Sequence, residues 1–199
     1  QTNGRLDGEI VPIEMNGSSV DQDGCLRPGT TLDALAELKL AFDESGTVTA
    51  GTSSPLTDGA AAVLVCSEDY AKKHNLTPMV KICSTAVAGC EPETMGLGPI
   101  FASRKALSRA GIDAKVLDVV EINEAFATQS IASVRDLNLD PTRINIDGGA
   151  IAIGHPLGAT GARITGKAAE ILVREGGQFA LSTQCIGGGQ GIATVMEAI

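Results

Sequence analysis

The amino-acid sequence predicts a layered α/β fold with a mixed, mostly parallel sheet of five strands. From residue 76 onward, short apolar runs typical of buried strands alternate with longer segments whose apolar residues recur at helical spacing. Such alternation indicates helices that cover a largely parallel sheet. The last two strand patterns are joined by CIGGGQ (residues 185–190), which leaves no room for a crossover helix. We therefore expect these two strands to pair antiparallel at the end of the sheet.

Each predicted element follows from its own pattern of apolar residues. The expected strands are residues 79–88, 117–122, 143–146, 178–183 and 191–196, and the expected helices are residues 99–110, 124–137 and 158–175. The hairpin between the last two strands is the only connection in this region that lacks a helix or a long loop.

The first 75 residues carry weaker patterns. Residues 9–15 alternate between apolar and polar, and residues 32–42 have helical spacing, but together they offer too little apolar surface for a core. Residues 46–54 predict a strand that runs into a Gly/Ser turn. Residues 59–66, GAAAVLVC, predict a fully buried strand, which needs sheet neighbours that this segment does not supply.

Composition excludes several classes of protein. The chain has 199 residues, of which 43% are hydrophobic and 20% charged, so it is long enough to bury a core. Fifteen basic against 24 acidic residues give a net charge of −9, the wrong sign for a nucleic-acid or anionic membrane surface. No apolar run reaches transmembrane length. Neither a membrane span, a signal peptide nor a metal centre is expected.

The five cysteines are an odd set without CxxC pairs. That pattern favours a reducing compartment, and we expect the cytoplasm.

Three polar residues stand where predicted strands end: Asn123, His155 and Cys185. Ligands of open α/β sheets bind beyond the carboxyl ends of the strands, so these residues predict one shared pocket at the rim of the sheet. Each also has a plainer interpretation. Asn123 is a good N-cap residue for the helix that follows, and Cys185 is a small residue of a kind that is usually buried in a core. A lone surface histidine, the plainer interpretation of His155, is usually inert.

Glycine contexts strengthen two of these candidates. His155 lies between Gly154 and Pro156 in a tight turn, within a glycine-rich loop that lacks the pattern of a phosphate-binding loop. Cys185 precedes three glycines whose backbone N–H groups can face a ligand, as in an oxyanion hole. A thiol, an imidazole and an amide together suit thiol chemistry on an acyl group.

The motifs NEAF (residues 123–126), GGAIAIGHPLGATGARI (148–164) and CIGGGQGIATV (185–195) resemble, in order and spacing, the C-terminal signatures of the thiolase family. GTVTAGTSSPLTDGAAA, MGLGP and DGEIVPIE extend the resemblance over the whole chain. The resemblance implies two similar α/β halves with an inserted loop domain. It assigns residues 1–45 to the tail of that loop domain, 46–75 to the last strand region of the N-terminal half, and 76–199 to the C-terminal half.

The resemblance also implies catalytic roles. His155 matches the histidine that activates the nucleophilic cysteine and donates to the thioester oxygen, and Cys185 matches the acid/base cysteine. Asn123 matches the asparagine that positions a water in the first oxyanion hole, and the N–H of Gly187 matches a donor of the second. The motif of the nucleophilic cysteine itself is absent, so the chain is expected to be the C-terminal part of a thiolase and inactive alone.

Coenzyme A and acyl-CoA are implied as substrates, with no covalently bound cofactor. Ser54, Met95, Ala125 and Phe126 match positions around the pantetheine arm, and Arg27 matches an arginine near the adenosine end of CoA. Arg27 has the alternative interpretation of a solvated surface residue.

Family members assemble as dimers or dimers of dimers, so the implied partners are the N-terminal half and further copies of the complete protein. Two other functions remain open at this stage. One is a non-catalytic thiolase-like module that binds acyl-CoA or lipid, and the other is a ketoacyl-carrier-protein synthase of the same fold. The cysteine in CIGGG favours the thiolase over the synthase.

Overall fold

The computed structural model describes all residues, 1–199. Its first third contains only short elements: β1 (Ile13–Met15), β2 (Ser18–Val20), α1 (Leu32–Ala36) and α2 (Glu68–Lys73). The remainder contains β3 (Val80–Gly89), α3 (Gly98–Ala110), β4 (Val119–Ile122), α4 (Ala127–Asp136), α5 (Ala150–Ile153), α6 (Thr160–Glu175), β5 (Phe179–Ile186) and β6 (Gln190–Ala198). Short 3-10 turns lie at Ala50–Thr52, Pro92–Leu97, Ala114–Val116 and Pro141–Arg143.

The main sheet has four strands in the order β3-β6-β5-β4. Strands β4 and β5 are parallel, whereas β5/β6 and β6/β3 are antiparallel. The α/β class and the antiparallel terminal hairpin are therefore confirmed. The prediction of five, mostly parallel strands is wrong.

The predicted strand at residues 143–146 is reduced to a single parallel bridge between Ile144 and Val120. Two local features stop it. A 3-10 turn at Pro141–Arg143 precedes it, and Asn145 adopts a left-handed backbone with φ 45°, which no regular strand can continue. The side chain of Asn145 then takes the place of a strand, since Ile122 N–H donates to its Oδ1 and its Nδ2 donates to Ile122 O, each at 2.9 Å.

Helices cover both faces of the sheet. On one face α3 and α4 lie over a core that includes Ala102, Ala106, Leu181 and Val195. On the other face α6 packs Ala168, Ile171 and Leu172 against Val119, Ala180 and Met196. No helix has both the length and the apolar character needed to cross a bilayer.

The first 75 residues depart most from the predictions. Residues 46–54 form isolated bridges, Leu40 to Thr49 and Ser53 to Phe126, rather than a strand. Residues 59–66 form no strand and are exposed, with Leu64 at 74% of its full accessibility. The helical pattern of residues 32–42 yields only the five residues of α1. The predicted buried strand is wrong because a strand needs a ladder partner, and no strand of this chain lies beside it.

Helix α3 approaches β6 through two glycines. A Cβ on Gly98 would lie 2.7 Å from the backbone N of Gly191, and a Cβ on Gly191 would lie 2.7 Å from the backbone N of Pro99. The backbones at Gly98 and Gly191 cannot move apart without moving the start of α3. Helix α3 follows directly after the turn that contains Met95.

We expect Gly98→Ala to lower the free energy of unfolding by about 1–3 kcal/mol, the usual cost of overpacking a well-packed contact. Urea denaturation measures the change. Gly29→Ala is the matched control, because a Cβ there meets no atom within 4 Å. Equal stability of the two variants would contradict the close approach.

Candidate functional site

The carboxyl ends of β4 and β5 carry two of the predicted site residues. Asn123 follows β4, and its N–H donates to Thr183 O on β5 at 3.0 Å, which extends the parallel pairing by one residue. Cys185 lies near the end of β5, opposite Gly191 of β6. The parallel pairing therefore brings Asn123 and Cys185 to the same rim of the sheet, as predicted.

The amide of Asn123 is buried and unpaired. Its side chain is fully inaccessible to solvent, yet neither Oδ1 nor Nδ2 has a hydrogen-bond partner. The alternative interpretation as an N-cap is wrong, because α4 begins at Ala127 after Phe126. Leaving a buried polar group unpaired costs about 1–3 kcal/mol. An unpaired amide of this kind is typical of a position where a bound molecule or a water supplies the missing hydrogen bonds.

Burial also sets the state of the thiol at this rim. Cys185 is 8% exposed, and its desolvation, with a smaller contribution from the nearby Cys90, raises the pKa of the thiol. Cys185 is therefore protonated at neutral pH and suited to give a proton. The turn that follows it uses left-handed Gly188 and Gly189, while the N–H of Gly187 donates to no protein acceptor.

His155 projects from the turn between Gly154, whose φ is 93°, and Pro156. Its Nδ1 lies 2.6 Å from Oγ1 of Thr160, the first residue of α6. Partial burial and the positive charge of Arg163 hold the pKa of His155 below its ordinary value, so the imidazole is neutral at pH 7. The ring lines a cavity of about 310 Å³, together with Leu56, Thr57, Asp58 and Leu157.

A carboxylate joins the Asn123 loop to the His155 loop. Glu124 accepts from Nδ2 of Asn145 at 2.7 Å and from the N–H of Ile151, in α5, at 3.1 Å. Gly149, the N-cap of α5, has no side chain, and a Cβ there would overlap the Glu124 carboxylate. Glu124 thus caps α5 from another loop, and α5 leads directly into Gly154 and His155.

The start of the His155 loop is held by charge. Asp147, whose side chain is 1% exposed, pairs with Arg5 at 3.0 Å, Lys167 at 2.7 Å and Arg174 at 2.6 Å. Although burial alone would raise the pKa of Asp147, its bonds to Arg174, Lys167 and Arg5 hold that pKa well below its ordinary value. Lys167 also pairs with Glu9 at 2.8 Å, so this cluster fastens residues 1–10 to α6.

Another carboxyl is buried two residues before Asn123. Glu121 of β4 is 1% exposed, and its Oε1 has no partner. Desolvation raises the pKa of Glu121 to about 8 despite the opposing charges of Arg163 and Lys167. Glu121 is therefore mainly protonated at pH 7 and adds little negative charge below the site.

The residues predicted around the pantetheine arm are only partly brought together. Ser54 N–H donates to Ala125 O at 3.0 Å, and the ring of Phe126 meets that of Phe42 edge to face at 6.1 Å. Met95 lies in the turn Pro92–Leu97, whose Gly96 packs against Gln129 of α4. Arg27 is exposed and pairs with no carboxylate, and no contact connects it with the others.

Sequence reasoning missed the supporting residues Glu124, Asn145, Asp147 and Thr160. Two of them lie within the quoted motifs: Glu124 follows Asn123, and Thr160 lies five residues after His155. Asn145 and Asp147 lie outside those motifs, and only the folded structure shows their contacts. No group of three His, Cys, Asp or Glu side chains is arranged to hold a metal ion.

The structure is a layered α/β protein with an amide and a thiol at the carboxyl ends of two neighbouring parallel strands, and with an imidazole on the loop that leads into α6. The family model of the thiolase C-terminal domain matches residues 76–198, and that of the N-terminal domain matches residues 1–69. The chain belongs to the thiolase family.

Relatives support this assignment along the whole chain. The mitochondrial 3-ketoacyl-CoA thiolase of Bos taurus is 47% identical over 198 residues, covering 98% of this chain and 50% of the relative. The acetyl-CoA acetyltransferase of Shinella zoogloeoides is 50% identical over 203 residues, covering 100% and 52%. The chain thus spans about half the length of the curated relatives it matches.

Solved structures agree. A human mitochondrial 3-ketoacyl-CoA thiolase in complex with CoA superposes with a TM-score of 0.93 at 46% identity, covering 100% of this chain and 50% of that one. The Bacillus anthracis acetyl-CoA acetyltransferase gives 0.94 at 40% identity, covering 100% and 51%.

We expect Asp147→Asn to lower the free energy of unfolding by about 3 kcal/mol near neutral pH, because three cations lose their shared carboxylate. A depressed folded-state pKa stabilises the fold above the unfolded pKa of about 3.9 and stops doing so as the pH falls through the folded value. Urea titrations of both proteins should therefore show a constant difference above about pH 5 that narrows in stronger acid. A difference independent of pH would contradict the charge cluster.

We expect Glu124→Ala to speed amide hydrogen exchange in residues 149–155 by about fivefold, since the lost cap is worth roughly 1 kcal/mol. Hydrogen-exchange mass spectrometry measures this. Exposed Glu93→Ala is the control and should leave these amides unchanged. Faster exchange throughout the chain, rather than in this loop, would contradict the proposed cap.

Proposed function

We propose that this chain is the C-terminal part of a CoA-dependent acyltransferase of the thiolase family. The complete enzyme cleaves 3-ketoacyl-CoA with CoA, or condenses two acyl-CoA molecules, through a cysteine acyl-enzyme. The observation that carries the proposal is the buried, unpaired amide of Asn123 at the same rim as the thiol of Cys185. An unmet hydrogen-bonding requirement beside a proton donor suits a site that stabilises a developing enolate.

In the proposed cleavage, the nucleophilic cysteine of the N-terminal half attacks the 3-keto carbon. Neutral His155 takes the proton of that thiol, as its lowered pKa allows. The bond between the α and β carbons breaks, and its electron pair forms a thioester enolate. Cys185 gives its proton to the α carbon and becomes a thiolate. That thiolate takes the proton of the CoA thiol, and the CoA sulfur attacks the acyl-enzyme. The nucleophilic cysteine leaves and regains its proton from His155. Condensation runs these steps in reverse.

Two sets of donors stabilise the oxyanions in this proposal. His155, once protonated, and a water held by Asn123 face the thioester oxygen in the first set. The free N–H of Gly187 serves the second, together with the N–H of the nucleophile. Each such donor is worth roughly 3–4 kcal/mol to the transition state.

Substrate binding is proposed on Ser54, Met95, Ala125, Phe126 and Arg27. The bridge from Ser53 to Phe126 and the bond from Ser54 to Ala125 support a shared wall for the pantetheine arm. Exposed, unpaired Arg27 supports a local positive charge for the nucleotide end of CoA in a chain whose net charge is −9.

We propose residues 1–45 as the tail of the inserted loop domain, 46–75 as the last part of the N-terminal half and 76–199 as the C-terminal half. The exposed apolar side chains of Val63, Leu64 and Val65 support a missing sheet partner supplied by the N-terminal half. The complete protein is proposed to form homodimers or homotetramers. All five cysteines are free thiols, which supports a reducing compartment such as the cytoplasm.

The deciding experiment is the intact mass of the purified protein under denaturing conditions, followed by an acetoacetyl-CoA thiolysis assay. We expect the 20.3 kDa chain alone to show no turnover, and activity to require a polypeptide with the N-terminal half. Steady thiolysis by the 199-residue chain alone would overturn both the alignment and the assigned roles.

In the active assembly, we expect His155→Ala and Cys185→Ser each to lower kcat by about 100-fold or more, the usual contribution of acid–base catalysis. His74→Ala is the matched control for His155→Ala, because His74 is exposed and lies outside the residues proposed to pair with the N-terminal half. Wild-type-like CoA binding without turnover would instead identify the non-catalytic acyl-CoA-binding alternative.

A further inference from the structure

The contact between His155 and Thr160 is a hydrogen bond between two side chains. Thr160 is completely buried, and its Oγ1 lies 2.6 Å from His155 Nδ1 and 3.0 Å from Pro156 O. These are the only hydrogen-bond partners of the hydroxyl, and the Nε2 atom of His155 bonds to no protein group.

Proton counting assigns the direction of both bonds. A carbonyl oxygen can only accept, so forming both bonds at once requires the single proton of the Thr160 hydroxyl to be donated to Pro156 O. The hydroxyl oxygen then faces Nδ1 with lone pairs only, and Nδ1 must donate to it. A neutral imidazole carries one ring proton, which leaves Nε2 as an unprotonated acceptor.

We propose that Thr160 is a positioning residue that holds neutral His155 in its Nδ1–H tautomer and so presents Nε2 as the base. This inference rests on the proposed function for its catalytic meaning, but the tautomer itself is a property of this chain. The same bond survives when the ring is protonated, because Nδ1 remains a donor in the imidazolium. The ring therefore keeps its orientation while Nε2 gains and loses a proton.

The surroundings make Thr160 suited to this role. It is the first residue of α6, and its β-branched side chain has restricted rotamers there. The N–H groups of Ala159 and Thr160 also donate to Pro156 O, so the hydroxyl and the carbonyl are fixed relative to each other. Partial burial of the ring, together with the positive charge of Arg163 one turn further along α6, lowers the pKa of His155.

The test is nitrogen-15 NMR of the imidazole rings in the 199-residue chain. The protein contains only two histidines, so exposed His74 serves as an internal reference. Above the pKa of both rings, we expect His155 to show a protonated Nδ1 and an unprotonated Nε2. A protonated Nε2 in the wild-type protein would overturn the proposal outright.

Three variants separate positioning from packing. Thr160→Val keeps the shape but removes the acceptor, and we expect the two ring nitrogens of His155 to shift toward values averaged between tautomers. Thr160→Ser restores the hydroxyl and should restore the wild-type spectrum. Thr165→Val is the control, because Thr165 is also in α6 but bonds to Ser182. An unchanged His155 spectrum in Thr160→Val would contradict the proposal even if Thr160→Val unfolds more easily.

In the active assembly, Thr160→Val should lower kcat by about tenfold and leave KM nearly unchanged, with rescue by Thr160→Ser. Equal losses in the Val and Ser variants would contradict positioning through the hydroxyl. Absence of thiolysis in every preparation would count against the proposed function, whereas the NMR result would still decide the tautomer.

Discussion

The side chain of Asn145 satisfies both backbone groups of Ile122 at the edge of β4, where a fifth strand would otherwise bind. A buried strand edge cannot leave its N–H and C=O groups unpaired, so the chain must supply either a neighbouring strand or a substitute. Because the substitute here is a single side chain, the backbone after Asn145 is free to turn away as a loop. That loop is the one that reaches His155, so the geometry of the rim depends on this replacement.

Glu124 connects the loop that contains Asn123 with the loop that leads to His155. The same Asn145 amide that completes β4 also donates to Glu124, whose second oxygen caps α5. Asn123 and His155 are thereby placed by a common set of bonds rather than by separate ones. The absence of a side chain at Gly149 is a requirement of this arrangement, since the carboxylate occupies that space. Asp147, three residues before α5, fixes the start of the same loop through ion pairs with Arg5 and with Lys167 and Arg174 of α6.

The sequence predicted those parts of the fold whose pattern is repeated within a single element. Strands β3, β4, β5 and β6 and helices α3, α4 and α6 were predicted close to their observed bounds, because their apolar periodicity matches the surface that they bury. The strands predicted at residues 143–146 and 59–66 do not form, for a different reason. Their residues suit a strand, but a strand also needs a neighbouring strand to pair with, and the local sequence does not reveal whether one is present. At the site, Asn123, His155 and Cys185 were found because glycine-rich or strand-end contexts mark them. Asn145 was not, because its bonds to Ile122 span 23 residues of the chain. Thr160 was not, because a threonine at the start of a helix does not reveal which side chain its hydroxyl contacts.

The site combines groups that are costly to bury with a fold that supplies few charges near them. Asn123 is unpaired, the Cys185 thiol is kept protonated, His155 is kept neutral and Glu121 is mainly neutral at pH 7. The neutral states of Cys185, His155 and Glu121 follow mainly from desolvation, which disfavours the charged form of an acid and of a base alike. A low-dielectric setting strengthens any hydrogen bond that a bound oxyanion makes there. The paired charges of Asp147, Lys167 and Arg174 lie at the other end of the His155 loop, where they stabilise its position. The Asp147 cluster therefore fixes the loop through charge, while the amide of Asn123 and the Nε2 atom of His155 stay without hydrogen-bond partners in the chain.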